Sequence, residues 1–176
     1  MVIFFVSYLI SLLVWIQVKD YYANAVTYLS SQLVTTIKDV HFEELTRHEN
    51  LFQATFSPRR YGSDILIDIP VKTSSYTFNA PLTFAIMSAL YLFIRRRKRA
   101  YAEALAILFA VHFLYVFSFE AKVLTEVMIN RGLEAASKPH QFFFQFLWGF
   151  TDNMVIRFEP FLIGFYMFVR FRNKEA

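Results

Sequence analysis

Three groups of residues in this sequence have types and spacings that could do chemistry. Arg157 and Glu159 lie with Pro160 inside the apolar stretch "MVIRFEPFLIGFYMF", residues 154–168. His112 lies in the middle of another apolar stretch, with Glu120 and Lys122 eight and ten residues on. His41, Glu44 and His48 sit together in "HFEELTRH". On a helix this last set would share a face at i, i+3 and i+7, and two histidines with a glutamate form a known catalytic zinc arrangement. The surrounding "DVHFEEL" alternates as a strand, however, and a strand sends His41 and Glu44 to opposite faces. Exposed polar residues are therefore expected there, with no metal and no cofactor. The chain has no cysteine, which excludes thiolate nucleophiles, disulfides and cysteine-ligated metals. Neither a G-x-S-x-G context nor a glycine-rich phosphate loop occurs. Catalytic residues are not expected, and the reading is of a non-enzyme.

The elements that must position these residues are apolar. The 176 residues are 56% hydrophobic and only 18% charged, with 22 Phe against 4 Gly, and the apolar residues come in long blocks. Crossing about 30 Å of hydrocarbon takes roughly 20 such residues in a helix. Four stretches are read as spans: residues 1–18, 76–94, 100–119 and 153–171. The first is read as an uncleaved anchor. "YANA" offers a cleavage-like site, but no basic residue precedes the apolar run, which exceeds the usual signal-peptide core.

Charge sets the direction. Arg95, Arg96, Arg97, Lys98 and Arg99 form a basic link at 95–99, and the tail 172–176 follows Arg170 with Arg172 and Lys174. Excess Lys and Arg mark the cytoplasmic side. The basic run between two spans reads as a topology anchor in contact with anionic lipid rather than as a nucleic-acid patch. Segments 19–75 and 120–152 each carry a net charge of −1 and are read as external. Both termini are then cytoplasmic. The expected fold is a mainly α membrane protein with four transmembrane helices and a small external α+β insertion of short antiparallel strands between helices 1 and 2.

Within 19–75 the first helix continues as an amphipathic stripe: Tyr22, Val26, Leu29, Leu33 and Ile37 recur at three and four. "NLFQATFS" and "DILIDIPVK" alternate as strands, with "SPRRYGSD" as the turn between them and Pro70 marking an edge strand or strand end. About 35 residues bury too little to stand alone, so this sheet is expected to lean on the helices or a partner. In 120–152, "EAKVLTEVMINRG" reads as a helix capped by Gly132. "FFFQFLWGF" is an interfacial piece or an extension of the last helix.

For the last span, a helix starting at Pro160 would leave only about 18 Å before Arg172, so it must begin earlier, with Asp152 or Asn153 as N-cap. Arg157 and Glu159 then lie roughly 7 and 10 Å below the external end and about 200° apart around the helix, so each needs a partner from elsewhere. Pro160 removes the bond to the Ile156 carbonyl and should kink the helix. Glu120, Lys122 and His112 are the candidate partners within the chain. Two readings stay open: a docking or substrate site, or a buried network that fixes helix register. For His112 the functional reading is a proton relay, and the plainer one is a neutral imidazole bonded to a neighbouring helix. Glu103, four residues after Arg99 and near the positive N-terminus of its helix, is expected to cap the helix or pair there.

One anchor, an external part with strands, "TFNAPLTFAIMSALYLF", a basic turn and a final span with "RFEPFLIGF" together resemble the small exosortase-associated membrane proteins, the exosortase H-associated type in particular. The local motifs are Asn79-Ala80-Pro81 at the entry to the second span and the Pro160 region. The resemblance implies an accessory of a bacterial inner-membrane system that sorts envelope proteins bearing a C-terminal signal. It also implies binding to another integral membrane protein, such as an exosortase. Exosortases rely on a membrane cysteine with arginine and histidine. This chain lacks the cysteine, so His112 and Arg157 are not given those catalytic roles. The alternatives are a small transporter or channel subunit using His112, Glu159 and Arg157 as a relay, and then a metal-dependent membrane enzyme built on His41, Glu44 and His48.

Overall fold

The computed structural model describes residues 2–49, 51–60, 65–91, 93–94, 97–135 and 137–172. The first helix, α1 (Val2–Ile37), contains neither glycine nor proline and runs unbroken for 36 residues, about 54 Å at 1.5 Å each. A three-stranded antiparallel sheet follows in the order β1 (Val40–His48), β2 (Leu51–Pro58) and β3 (Ile67–Lys72). A single turn, α2 (Ser74–Thr77), leads into α3 (Ala80–Leu90), and Pro81 sits in the first turn of α3, where its missing N–H costs nothing. Then come α4 (Arg97–Asn130), α5 (Lys138–Phe150) and α6 (Arg157–Phe171), the last two joined by a π-helical turn, Thr151–Ile156.

Gly132 ends α4 as expected. At φ +71° it takes the left-handed conformation, its N–H bonds the Ile129 carbonyl, and the Leu133 N–H reaches back to Met128 at 2.8 Å. This is a Schellman closure. The last helix departs from expectation at its start. Asp152 and Asn153 do not open it, because the backbone is already helical from Lys138 onward. Asn153 instead turns its side-chain amide back onto the Gly149 carbonyl at 2.9 Å. "FFFQFLWGF" is thus the upstream extension of the last helix.

Among the described residues two helices, α1 and α4, are long and apolar enough to cross a membrane. Alone, α3 spans about 16 Å and α6 about 22 Å, both short of the hydrocarbon thickness.

The sheet register explains its burial. Phe42 faces Phe56, Leu45 faces Ala54, and Phe52, Ala54 and Phe56 face Val71, Ile69 and Ile67. This apolar face lies in one buried cluster with Ala23, Val26 and Val34 of α1 and with Val116, Ala121, Leu124 and Met128 of α4. As the short sequence implied, the sheet has no core of its own. β3, which carries Pro70, is an edge strand.

One strand expectation needs correcting. The register slips between Phe42 and Glu44, so Glu43 is an extra residue in β1. The bulge brings His41 and Glu44 back to one face, opposite Ser57 and Thr55, with His48 opposite Leu51. They still do not converge. Their partners span six residues of β2, roughly 20 Å at strand rise. Among the described residues no group of three or more His, Asp or Glu could hold a metal ion.

A second buried cluster lies beyond the first along the helices. It joins Trp15 of α1, Ala80 and Met87 of α3, Ala100, Ala104 and Leu108 of α4, and Ile163, Met167 and Phe171 of α6.

Candidate functional site

Between the two apolar clusters lies a polar layer, and Tyr22 packs against both of them. His112 on α4 is fully buried there, one turn from Leu108 on one side and one turn from Val116 on the other. Its Nδ1 lies 2.8 Å from the Tyr22 hydroxyl on α1, and its Nε2 lies 3.1 Å from Glu159 Oε2 on α6. Both ring nitrogens are therefore satisfied by groups from two other helices, as a buried imidazole requires. Tyr76 closes the layer edge-on, its ring centroid 5.5 Å from that of His112, and its hydroxyl meets Thr27 at 3.4 Å.

Glu159 finds its partner inside the chain, and that partner is His112. Glu159 is 1% exposed, and its Oε1 has no hydrogen-bond partner. Glu120 does not join it. Two turns along α4 from His112, it turns to α1, where Ser31 Oγ donates to Oε1 at 2.9 Å, while Oε2 is left without a partner. The small polar residues Thr27, Ser30 and Ser31 are all buried on this face of α1, and Ser30 also bonds the Phe113 carbonyl. Small residues of this kind let helix backbones approach closely.

Pro160 explains how α6 is held. The Ile156 carbonyl, which Pro160 deprives of its α-helical donor, accepts a hydrogen bond from the side-chain amide of Asn79, just before α3. The π-helical turn ends at that same residue, a known response to a disturbed hydrogen-bond ladder. One turn on, α6 presses against α3 through Gly164. A Cβ built there would lie 2.6 Å from Ile86 Cγ2, so only glycine permits this approach. The Asn79-Ala80-Pro81 and Pro160 motifs, about 80 residues apart in sequence, thus form one clasp.

Arg157 goes the other way. It is exposed and, among the described residues, has neither an ion pair nor a hydrogen bond. Exposed Met154, Phe158 and Phe161 surround it at i−3, i+1 and i+4. Lys122 is not its neighbour. That ammonium lies 3.7 Å from Glu126 and over the Trp148 ring at 4.2 Å.

At the opposite end of the bundle Glu103 pairs with Arg99 at 2.9 Å, as the i, i+4 spacing implied. It also accepts from the Tyr166 hydroxyl at 2.9 Å and meets Arg170 at 3.4 Å, while Ile94 bridges to Arg172. Lys98 and Arg99 lie in the first turn of α4, where Arg97 begins the helix. Arg95 and Arg96 lie outside the described residues.

Beyond the sheet, Lys38 is 4% exposed, and its ammonium bonds both Glu134 oxygens at 3.2 and 3.3 Å. Burial pulls this amine below its ordinary value, and Glu134 opposes the shift.

Tyr22 is the site residue that sequence reasoning placed only in an amphipathic stripe. Beyond Val26 that stripe is not the buried face: Leu29, Leu33 and Ile37 are exposed, while Ala23, Thr27, Ser30, Ser31 and Val34 are buried, so the packed side of α1 is lined by small and polar residues that apolar periodicity does not mark.

No curated protein and no solved structure matches this chain. The family description "Exosortase H-associated membrane protein" matches residues 1–171. The match covers nearly the whole chain. The protein belongs to the exosortase H-associated membrane protein family.

Proposed function

We propose that this protein is a non-enzymatic accessory of an exosortase-type envelope protein-sorting system in the bacterial inner membrane, and that it acts by holding an integral membrane partner. In this reading four helices cross the bilayer, counting α3 with its flanks and the rod from α5 through α6. The 95–99 link and both termini are cytoplasmic, and the sheet is external. The supporting charge pattern is the basic link and tail against two mildly acidic segments.

The observation that carries the docking reading is Arg157. An exposed arginine on a phenylalanine-rich helix face, with no ion pair or hydrogen bond among the described residues, gains most from a carboxylate on a neighbouring membrane helix. Glu159 has the complementary role. Buried against His112, it fixes the rotation of α6 and so aims Arg157 outward. Of the two readings open for these charges, the register-fixing one applies to Glu159 and the docking one to Arg157.

The test is co-purification from native membranes after crosslinking. Arg157→Leu should insert and accumulate normally yet lose a stoichiometric membrane partner. Equal recovery of that partner with the variant would remove Arg157 from the docking reading.

One observation favours the relay reading: a hydroxyl, an imidazole and a carboxyl stand in sequence at Tyr22, His112 and Glu159. The apolar cluster of Met87, Leu108, Ile163 and Met167 lies between them and the Glu103 network. A proton path would have to cross it, so we prefer docking. Proton flux in liposomes by the purified protein would reverse that preference.

A further inference from the structure

We propose that the groove between α1 and the β1–β2 hairpin binds the headgroup of a zwitterionic, phosphoethanolamine-type lipid. The cavity is about 450 Å³, within the range of small-ligand sites. It is lined by Gln17, Asp20, Tyr21 and Asn24 of α1 and by Arg47 and Phe52 of the hairpin.

Its chemistry is paired. The Arg47 guanidinium lies 2.6 Å from the Asp20 carboxylate, yet the two side chains remain 53% and 30% exposed. Arg47 uses one of its five N–H donors on Asp20, which leaves a fork suited to phosphate oxygens. The Gln17 and Asn24 amides line the same groove and supply further donors. Asp20 keeps carboxylate lone pairs for an ammonium. A purely anionic headgroup would meet Asp20 as a like charge, whereas a zwitterion complements both residues.

The position fits a lipid as the source. Lys19 and Asp20 are the first charged residues in the sequence, and the uncharged run before them carries Ile3, Phe5, Val6, Leu9, Ile10, Leu13 and Val14 exposed. Acyl chains can lie along that surface while the headgroup enters the groove. Tyr21, 80% exposed, is an aromatic side chain of the kind that meets lipid headgroups. The inference rests on α1 crossing the membrane and is independent of which protein docks at Arg157.

Native mass spectrometry tests it. Full-length protein is exchanged into vesicles of phosphatidylethanolamine and phosphatidylglycerol at equal mole fraction, then released into the gas phase. Wild type should retain phosphatidylethanolamine over phosphatidylglycerol by roughly threefold, the order of one exposed charge pair. Asp20→Asn should erase or invert that preference, and Arg47→Gln should reduce retention of both lipids. A salt bridge with a structural role alone would leave the ratio unchanged in Asp20→Asn, and that result would overturn the proposal. So would equal retention of both lipids by wild type. Displacement of the lipid by soluble glycerophosphoethanolamine at equal concentration would assign the site to a soluble phosphate compound and overturn the lipid source.

Discussion

Glu159 and His112 pose an asymmetric problem for mutation. Both are fully buried between apolar clusters, and His112 Nε2 and Glu159 Oε2 bond each other. Removing one partner from such a pair leaves a buried polar group unsatisfied, which typically costs about 1–3 kcal/mol. His112→Leu is expected to lose that much stability in thermal unfolding of the purified protein in detergent. The double variant His112→Leu with Glu159→Leu should recover a large part of the loss, because no orphaned acid remains. Arg157→Leu should change stability by no more than about 0.5 kcal/mol, as expected of an exposed side chain with no ion pair or hydrogen bond among the described residues. At this scale the sequence was legible in half. The spacing of Arg157 and Glu159 showed that they point apart, and the structure divides them into one exposed and one buried residue. It could not show that Glu159 pairs with His112 and not Glu120 or Lys122, because that depends on how α4 and α6 are rotated against each other.

The same limit applies to elements. Pro160 predicts a carbonyl in want of a donor, but nothing in the sequence says that Asn79 supplies it across 77 residues. Asn79→Ala should therefore cost about 1–3 kcal/mol, the penalty for a buried group left unsatisfied. In a Pro160→Ala background, where the helical N–H returns, the same change should cost distinctly less, and a double-mutant cycle by thermal unfolding would read a coupling above about 0.5 kcal/mol. Gly164→Ala should destabilise by about 1–3 kcal/mol through overpacking, and Ile86→Ala should relieve part of it. The strands could be read from alternation because one face is buried throughout. The bulge at Glu43 could not, since one extra residue leaves no compositional mark and yet reverses the faces that follow it. The start of the last helix was misplaced for a related reason. Asp152 and Asn153 are good caps in isolation, but Asn153 bonds the preceding turn instead.

In the whole molecule, three helical rods of similar length and a small sheet enclose two apolar clusters with a polar layer between them. The sheet belongs to the same cluster as the C-terminal halves of α1 and α4, so a variant lacking α1 should leave the strands unfolded, as amide exchange would show. The face left bare is informative. From Phe142 to Val169 the rod through α5 and α6 exposes Phe143, Phe146, Phe150, Phe158, Phe161 and Phe165, about 40 Å of length at helical rise. That exceeds the hydrocarbon thickness by about 10 Å. On the proposed four-span reading lipid would cover part of such a face, and the excess, like Arg157 with no ion pair or hydrogen bond among the described residues, suits a protein neighbour.

Site-specific photocrosslinking in native membranes, with the crosslinker at Phe161 beside Arg157, tests this account most directly. One discrete adduct with an integral membrane protein is expected, lost when Arg157 is also changed to Leu and kept when it is changed to Lys. Adducts with lipid alone, or a protein adduct that persists in Arg157→Leu, would contradict it.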